Sequence, residues 1–278
     1  MEVIVAKTAG FCFGVKRAVE KVYANVDKEH VYTYGPIIHN EQVVADLEKH
    51  GVRVVEGDTD LTQLSEGTIV VRAHGASRAE FDRLRECGMQ IEDATCPFVS
   101  KIYRIVEEES KAGRTVIIVG NAAHPEVRGI RGWSGEDTYV VGSIEEANNL
   151  NILAKNISIV SQTTFNLKKF KEIVEIFEKK GYDIKCLNTI CNATEVRQTE
   201  ARQIASQVDA MIVIGGKNSS NTQKLFEICK EECSNTYYIQ TAEDLDYTAI
   251  RGMQRIGITA GASTPKNIIE EVQTRCQI

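Results

Sequence analysis

The feature that most constrains this chain is a cysteine that recurs three times in the same local setting. A short apolar run at residues 3–6 leads into Thr8-Ala-Gly-Phe-Cys12-Phe-Gly-Val, and a helical pattern of Val15, Ala18, Val19 and Val22 leaves it. Residues 89–95 lead into Cys96-Pro-Phe-Val-Ser-Lys101, and residues 182–190 lead into Cys191-Asn-Ala-Thr-Glu-Val-Arg197. The cysteines are 84 and 95 residues apart, and 87 residues follow the last one. Nearly even spacing of a cysteine between a strand and a helix predicts three similar units whose cysteines meet at one point.

The segments between the cysteines repeat one order of elements. In the first, a helix runs to about Tyr23 and a strand at 31–34 ends in Gly35-Pro-Ile-Ile-His39-Asn40. A helix stopped by Gly51, a strand at 52–55 and a short helix at Leu61 and Leu64 follow. A strand at 68–73 then runs into His74-Gly75, a helix capped by Ser77 stops at Gly88, and a strand lies at 89–92. In the second, the helix after Cys96 runs to about Lys111 and a strand at 115–119 precedes Gly120-Asn-Ala-Ala-His124-Pro-Glu126. A strand at 138–141, a short helix at 143–150, a strand at 157–160 entering Ser161-Gln-Thr163-Thr164, a helix at 168–180 and a strand at 182–184 complete it. The third has a strand at 210–214 before Gly215-Gly-Lys-Asn-Ser219-Ser220-Asn221, a strand at 236–239, a helix opening at 242–245, a strand at 255–259 before Ala260-Gly-Ala-Ser263-Thr264, and a helix at 265–272.

Alternating helices and fully apolar strands predict an α/β fold with parallel sheets covered on both faces. The expected architecture is three pseudo-threefold-related α/β units, each a mostly parallel sheet flanked by helices, around a central site. The third unit lacks the strand that closes the other two, and residues 3–6 are expected to supply it. The expected boundaries are therefore 14–96, 97–190, and 1–13 together with 191–278. Counted from its own cysteine, His39 lies at +27, His124 at +28 and residues 217–221 at +26 to +30. A second polar loop lies at +62 (His74), +67 (Thr163) and +72 (Ser263). All follow predicted carboxyl ends of strands, where open α/β sheets bind ligands.

Composition removes several classes of function. A net charge of −6 without a dense Lys/Arg cluster argues against a nucleic-acid footprint. No apolar run approaches the ~20 residues of a membrane span, and residues 1–6 lack the features of a signal peptide, so a cytoplasmic protein that contacts no membrane is expected. Eight cysteines in a reducing compartment point to metal or catalytic roles rather than disulfides. Cys87, Cys186, Cys229, Cys233 and Cys276 fall inside helical or strand patterns and read as small buried hydrophobes. Cys229 and Cys233 share a helix face and could bind a metal, but no His or Cys partner is near in sequence.

For Cys12, Cys96 and Cys191, zinc is one alternative. Structural zinc prefers four ligands, often in Cys-x-x-Cys pairs, and no such pair occurs. An iron–sulfur cluster accepts single, distant cysteines. Three thiolates on a [4Fe–4S] cluster leave one iron open to hold a substrate oxygen, and the cluster can pass electrons. Three unrelated buried cysteines are the plain alternative. His39, His74 and His124 follow strands in matched loops, whereas His30 and His50 read as exposed. Ser219, Ser220 and Asn221 open a helix after a Gly-Gly turn, so N–H groups and hydroxyls there can hold an anion. The P-loop pattern is absent, and this donor set suits a phosphate or diphosphate. Glu126 reads as the only carboxylate in these loops. Beside an anion and an electron-rich cluster its pKa is expected to rise, which suits a proton donor. An isolated Glu at a helix N-terminus or on the surface is the other reading.

Gly10-Phe-Cys12-Phe-Gly-Val, Gly35-Pro-Ile-Ile-His39-Asn, Arg72-Ala-His74-Gly, Asp93-Ala-Thr-Cys96-Pro, His124-Pro-Glu126-Val, Gln162-Thr163-Thr164, Thr189-Ile-Cys191-Asn-Ala-Thr194, Lys217-Asn-Ser219-Ser220-Asn221 and Ala260-Gly-Ala-Ser263 together resemble the 4-hydroxy-3-methylbut-2-enyl diphosphate reductase family. The resemblance runs through the whole chain in order, with no family motif missing and no added domain. It implies an oxygen-sensitive [4Fe–4S] cluster, one per chain, on Cys12, Cys96 and Cys191, with the substrate hydroxyl at the open iron. It implies that His39, His74, Ser219, Ser220, Asn221 and Ser263 surround the diphosphate, with His124 bridging diphosphate and acid. Glu126 would supply protons, with Thr163 and Thr164 near the hydroxyl and Thr194 beside the Cys191 loop. Two electrons and two protons would remove the hydroxyl as water, giving isopentenyl or dimethylallyl diphosphate in the last step of the methylerythritol phosphate route to isoprenoids. The electrons would come from ferredoxin or flavodoxin, with or without its reductase, because no flavin or nicotinamide motif is present. A monomer is the expected state. A hydro-lyase without net redox, and an iron–sulfur sensor or storage protein, are the rival classes.

Overall fold

Runs that are mostly apolar at successive positions become the inner strands of three parallel sheets. The computed structural model describes residues 1–64 and 66–277. Its first elements are β1 (Glu2–Val5), α1 (Phe13–Tyr23), β2 (Val31–Tyr34), α2 (Glu41–Lys49), β3 (Arg53–Val55), β4 (Thr68–Val71), α3 (Arg78–Glu86) and β5 (Gln90–Asp93). There follow α4 (Pro97–Lys111), β6 (Thr115–Val119), α5 (Pro125–Trp133), β7 (Thr138–Val141), α6 (Ile144–Asn149), β8 (Asn156–Ser161), α7 (Leu167–Lys179) and β9 (Asp183–Cys186). The chain continues through α8 (Asn192–Ala205), β10 (Ala210–Ile214), α9 (Ser220–Glu232), β11 (Thr236–Ile239), β12 (Arg255–Ala260) and α10 (Lys266–Cys276).

The sheets run β3-β2-β4-β5, β7-β6-β8-β9 and β11-β10-β12-β1, and every pairing is parallel. The order is therefore the same in all three. The last sheet takes its fourth strand from the start of the chain, with Glu2 opposite Arg255 through to Val5 opposite Ile258. The inner strands β2, β4, β6 and β10 are buried at every residue, whereas the edge strands β1, β3, β5 and β9 are partly exposed. This is why these inner strands read as mainly apolar runs with at most a single threonine, while polar and charged residues gather on the edges.

The backbone falls into two compact units. One comprises Met1–Lys16, Ile38–Ala45 and Asn192–Ile278 and holds the sheet with β1. The other comprises Arg17–Ile37 and Asp46–Cys191 and holds the other two sheets. Ile278 lies outside the described residues. Within the second unit, Trp133 of α5 joins its two sheets' helices. It stacks on Tyr103 of α4 at 5.4 Å, meets Phe81 of α3 edge-on at 6.2 Å, and donates its indole N–H to the Ala76 carbonyl at 2.9 Å. Buried aromatic contacts of this kind weld two repeats into one body.

Local differences from the sequence reading have local causes. Instead of a helix opening at 242–245 there are two short 3-10 turns, Ala242–Asp244 and Tyr247–Ile250. Asp244 accepts from the Gln240 and Thr241 N–H groups, and Asp246 from the Thr248 N–H and hydroxyl, so side chains take backbone donors a helix would use. The helix α5 lay hidden behind two glycines, Gly129 and Gly132, which weaken the helical pattern. Of the five remaining cysteines, Cys229, Cys233 and Cys276 are buried as expected, Cys87 is half-buried, and Cys186 is exposed at the end of edge strand β9. His30 and His50 are exposed, as expected. Among the described residues no helix is long and apolar enough to cross a membrane.

Candidate active site

The shared strand order creates the same opening in each sheet. The first and third strands of a repeat lie side by side, and the chain leaves them toward opposite edges, which is the switch point where ligands bind. His39, His124 and Ser219 each lie five residues past the first strand's end, at Tyr34, Val119 and Ile214. His74, Thr164 and Ser263 each lie three residues past the third strand's end, at Val71, Ser161 and Ala260. Counted from strand ends rather than from cysteines, Thr164 rather than Thr163 is the counterpart of His74 and Ser263, because the segments around each cysteine differ in length.

The cysteines obey a matching rule. The N–H of Cys12 donates to the Ala262 carbonyl at 3.3 Å, that of Cys96 to Ala73 at 3.0 Å, and that of Cys191 to Thr163 at 3.0 Å. Each acceptor is the second residue past a third strand. Each cysteine immediately precedes a helix (α1, α4 or α8). All three are half-buried, and none of the eight cysteines is in a disulfide. Beside Cys96, the Thr95 hydroxyl is buried without a hydrogen-bond partner. A half-buried free thiol at a helix start, with a spare buried donor beside it in the case of Cys96, has the chemistry of a metal–sulfur ligand.

In the second unit the acid is locked in place. Glu126 is 2% exposed. Its Oε1 accepts the Thr163 N–H at 2.6 Å and its Oε2 the Thr163 hydroxyl at 2.8 Å. Burial pushes the Glu126 carboxyl above its ordinary pKa, and the two Thr163 bonds only partly oppose it. The rise expected from sequence is therefore present, and its cause is burial. His124 caps α5 by accepting the Glu126 N–H on Nδ1 at 3.1 Å, which leaves Nε2 to carry the proton of the neutral ring. Its ring meets that of His74 edge-on at 5.3 Å. Two residues that sequence reasoning left without a role support this group. The Tyr103 hydroxyl donates to the His74 carbonyl at 3.1 Å, and burial, then the Glu126 charge, keep that phenol protonated by raising its pKa. The Gln162 side-chain oxygen accepts the Asn121 N–H at 3.2 Å, joining the loop before His124 to that before Thr163. Gln162 stood within the Gln162-Thr163-Thr164 motif, whereas Tyr103 carried no sequence signal of its part.

In the first unit the residues are donors. Ser219 caps α9, taking the Thr222 N–H at 3.3 Å and its hydroxyl at 2.9 Å. Ser263 donates to the His39 carbonyl at 3.1 Å and lies 3.5 Å from the Ser219 hydroxyl. A Cβ on Gly216 would sit 2.6 Å from the His39 carbonyl oxygen, so only glycine permits this approach. Asn221 is buried and its Nδ2 has no partner, a donor held ready for an anion. Ser220 is half-buried at the start of α9, and Thr194 is buried in the first turn of α8. Glu126 is not alone as a loop carboxylate: Glu41 stands two residues after His39, but it is exposed and accepts only from the Gln240 side chain at 3.3 Å.

Fold and site define a class: a three-sheet α/β protein with cysteines, histidines and a buried acid at its strand ends. The chain belongs to the LytB protein family, which matches residues 3–277, and by that membership it is an oxidoreductase enzyme. It is 48% identical over 276 residues to the 4-hydroxy-3-methylbut-2-enyl diphosphate reductase of Caldanaerobacter subterraneus subsp. tengcongensis, covering 98% of this chain and 95% of the relative. It is 47% identical over 278 residues to the protein of that name from Geobacter sulfurreducens, covering 100% and 97%. Among solved structures it is similar to the E-1-hydroxy-2-methyl-but-2-enyl-4-diphosphate reductase from Plasmodium falciparum, with a TM-score of 0.93, 29% identity and 99% and 87% of the two chains covered. A second, described as (E)-4-hydroxy-3-methyl-but-2-enyl diphosphate reductase, the terminal enzyme of the non-mevalonate pathway, aligns with a TM-score of 0.70, 42% identity and 100% and 99% covered.

Proposed function

We propose that this chain catalyses reductive dehydroxylation of (E)-4-hydroxy-3-methylbut-2-enyl diphosphate to isopentenyl and dimethylallyl diphosphate. Two electrons and two protons are consumed and the hydroxyl leaves as water. The observation that carries this reading is a short relay within one unit: the Glu126 carboxyl is held by the Thr163 N–H and hydroxyl, and the Thr163 carbonyl takes the N–H of Cys191. A proton donor thus stands one residue away from a thiol ligand, as proton-coupled reduction requires.

Cys12, Cys96 and Cys191 would hold one [4Fe–4S] cluster per chain. Bound there, it supplies electrons and an open Lewis-acidic iron. The protein's own side chains do the rest. His39, His74, Ser219, Ser220, Asn221 and Ser263 bind the diphosphate as donors, and the uncharged Asn221 amide adds a bond without demanding a divalent ion. His124 uses Nε2 toward the substrate, because Nδ1 is occupied. Glu126 holds a proton that Thr163 orients toward the leaving hydroxyl, with Thr164 and Thr194 completing the polar lining. Ferredoxin or flavodoxin is the proposed donor, with or without its reductase. The proposal includes repeats at 14–96, 97–190 and 1–13 with 191–278, acting as a cytoplasmic monomer in the last step of the methylerythritol phosphate route. Anaerobic iron and sulfide analysis, with product analysis in the presence and absence of a reductant, tests it. Near-stoichiometric cluster and reductant-dependent product are expected. Full-rate product without any electron donor would replace the reductase by a hydro-lyase.

A further inference from the structure

Helix α8 grips the loop that leads to Cys12 with two side chains. Arg197 and Glu200 are three residues apart and so share one face of the helix. Arg197 is 3% exposed. Its Nη1 donates to the Ala260 carbonyl at 2.6 Å and its Nη2 to the Gly10 carbonyl at 2.9 Å. Gly10 has a φ of 97°, a left-handed conformation in which glycine is unstrained. One turn further, the Glu200 carboxylate takes the Lys7 N–H at 2.9 Å, the Thr8 N–H at 2.9 Å and the Thr8 hydroxyl at 2.6 Å. Both ends of residues 7–10 are therefore held by charged groups, the stronger kind of hydrogen bond. Two residues past Ala260, the Ala262 carbonyl takes the N–H of Cys12, and Ser263 follows directly.

We propose that Arg197 and Glu200 are positioning residues that set the geometry of the Cys12 loop and, through the forked Arg197, couple it to the strand end that carries Ser263. The cluster side and the diphosphate side of the first unit then move as one piece. The inference rests on Cys12 being a cluster ligand. Groups that orient a metal ligand change metal affinity by about 10–100-fold when removed. Lysine cannot replace the fork, since an ammonium lacks its planar, two-armed geometry.

The test compares wild type, Arg197→Lys and Glu200→Gln after anaerobic reconstitution. The readouts are iron release to a ferrous chelator, the low-temperature EPR spectrum of the reduced protein, and thermal unfolding of the apoprotein. Release about 10-fold faster in Arg197→Lys and about 3-fold faster in Glu200→Gln, with altered EPR features, is the expected result. Glu200 is only half-buried, so its amide variant should melt close to wild type and decides the matter even if Arg197→Lys fails to fold. Wild-type release and spectra in the folded variants overturn the inference alone. A wild-type chain that takes up no iron and sulfide overturns the functional reading, and the inference with it.

Discussion

Helices α5 and α9 start at equivalent points of two repeats, one behind His124 and the other behind Ser219. In each, the side chain of the capping residue satisfies a donor of its own first turn: His124 Nδ1 takes the Glu126 N–H, and the Ser219 hydroxyl takes the Thr222 N–H. Two residues on, the helices part. α5 places Glu126 there, buried and bound by Thr163, while α9 places Asn221 there, buried with its amide nitrogen unpartnered. One backbone frame therefore buries a carboxyl in one repeat and an unpartnered amide donor in another, which suits the proton-donating and anion-binding roles proposed for them. The difference rests on a carboxyl standing where the other repeat has an amide.

Exchanging those two chemistries is the sharpest way to break the comparison. Glu126→Gln should lower kcat by about 10²–10⁴-fold, the range for loss of a general acid. KM and the cluster's absorbance should stay near wild type. Cluster loss in that variant, or full turnover, would remove the acid role. Asn221→Asp places a carboxylate where the diphosphate is proposed to bind, and kcat/KM should fall about 100-fold, chiefly through KM. Steady-state kinetics at several substrate concentrations separates the two cases.

A smaller effect is expected at Thr163, whose hydroxyl bond holds the Glu126 carboxyl down against its burial. Thr163→Val removes that bond, so the carboxyl should lose its proton at a higher pH. The alkaline limb of the kcat–pH profile should move up while kcat falls about 10-fold. The smallest effect concerns stability. With its pKa raised by burial, folded Glu126 keeps a proton that the unfolded chain has released above about pH 4.3. Stability is therefore lost as pH rises through the unfolded value toward the folded one. The apoprotein of Glu126→Gln lacks this loss. At pH 7 it should melt roughly 2–4 °C higher for each kcal/mol recovered, with the two melting curves converging near pH 4.

The repeat was legible because its signals are local. Apolar runs such as 115–119 and 210–214, the Ser77 cap and the turn glycines each act within a few residues. Elements defined by side-chain competition or packing were not. Asp244 and Asp246 divert donors from a helix, and α5 forms around buried Val127 and Ile130 despite its two glycines. By counting, the cysteines could be placed at helix starts and the loop histidines after strand ends. Tyr103, Gln162, Arg197 and Glu200 could not, since each acts on a loop remote in sequence.

By itself the sequence determined three repeats, the order of elements along each and the residue types at their strand ends, down to the count that assigns residues 3–6 to the last sheet, whereas the strand order within each sheet came from the structure. The tertiary structure decided which of two loop carboxylates is buried. Glu41 and Glu126 hold the same position behind a histidine, yet one lies in water and the other is buried against Thr163. Burial depends on what the rest of the chain packs around a group. Desolvation, which sets the carboxyl's proton affinity, follows from that packing and has no signature at the residue itself.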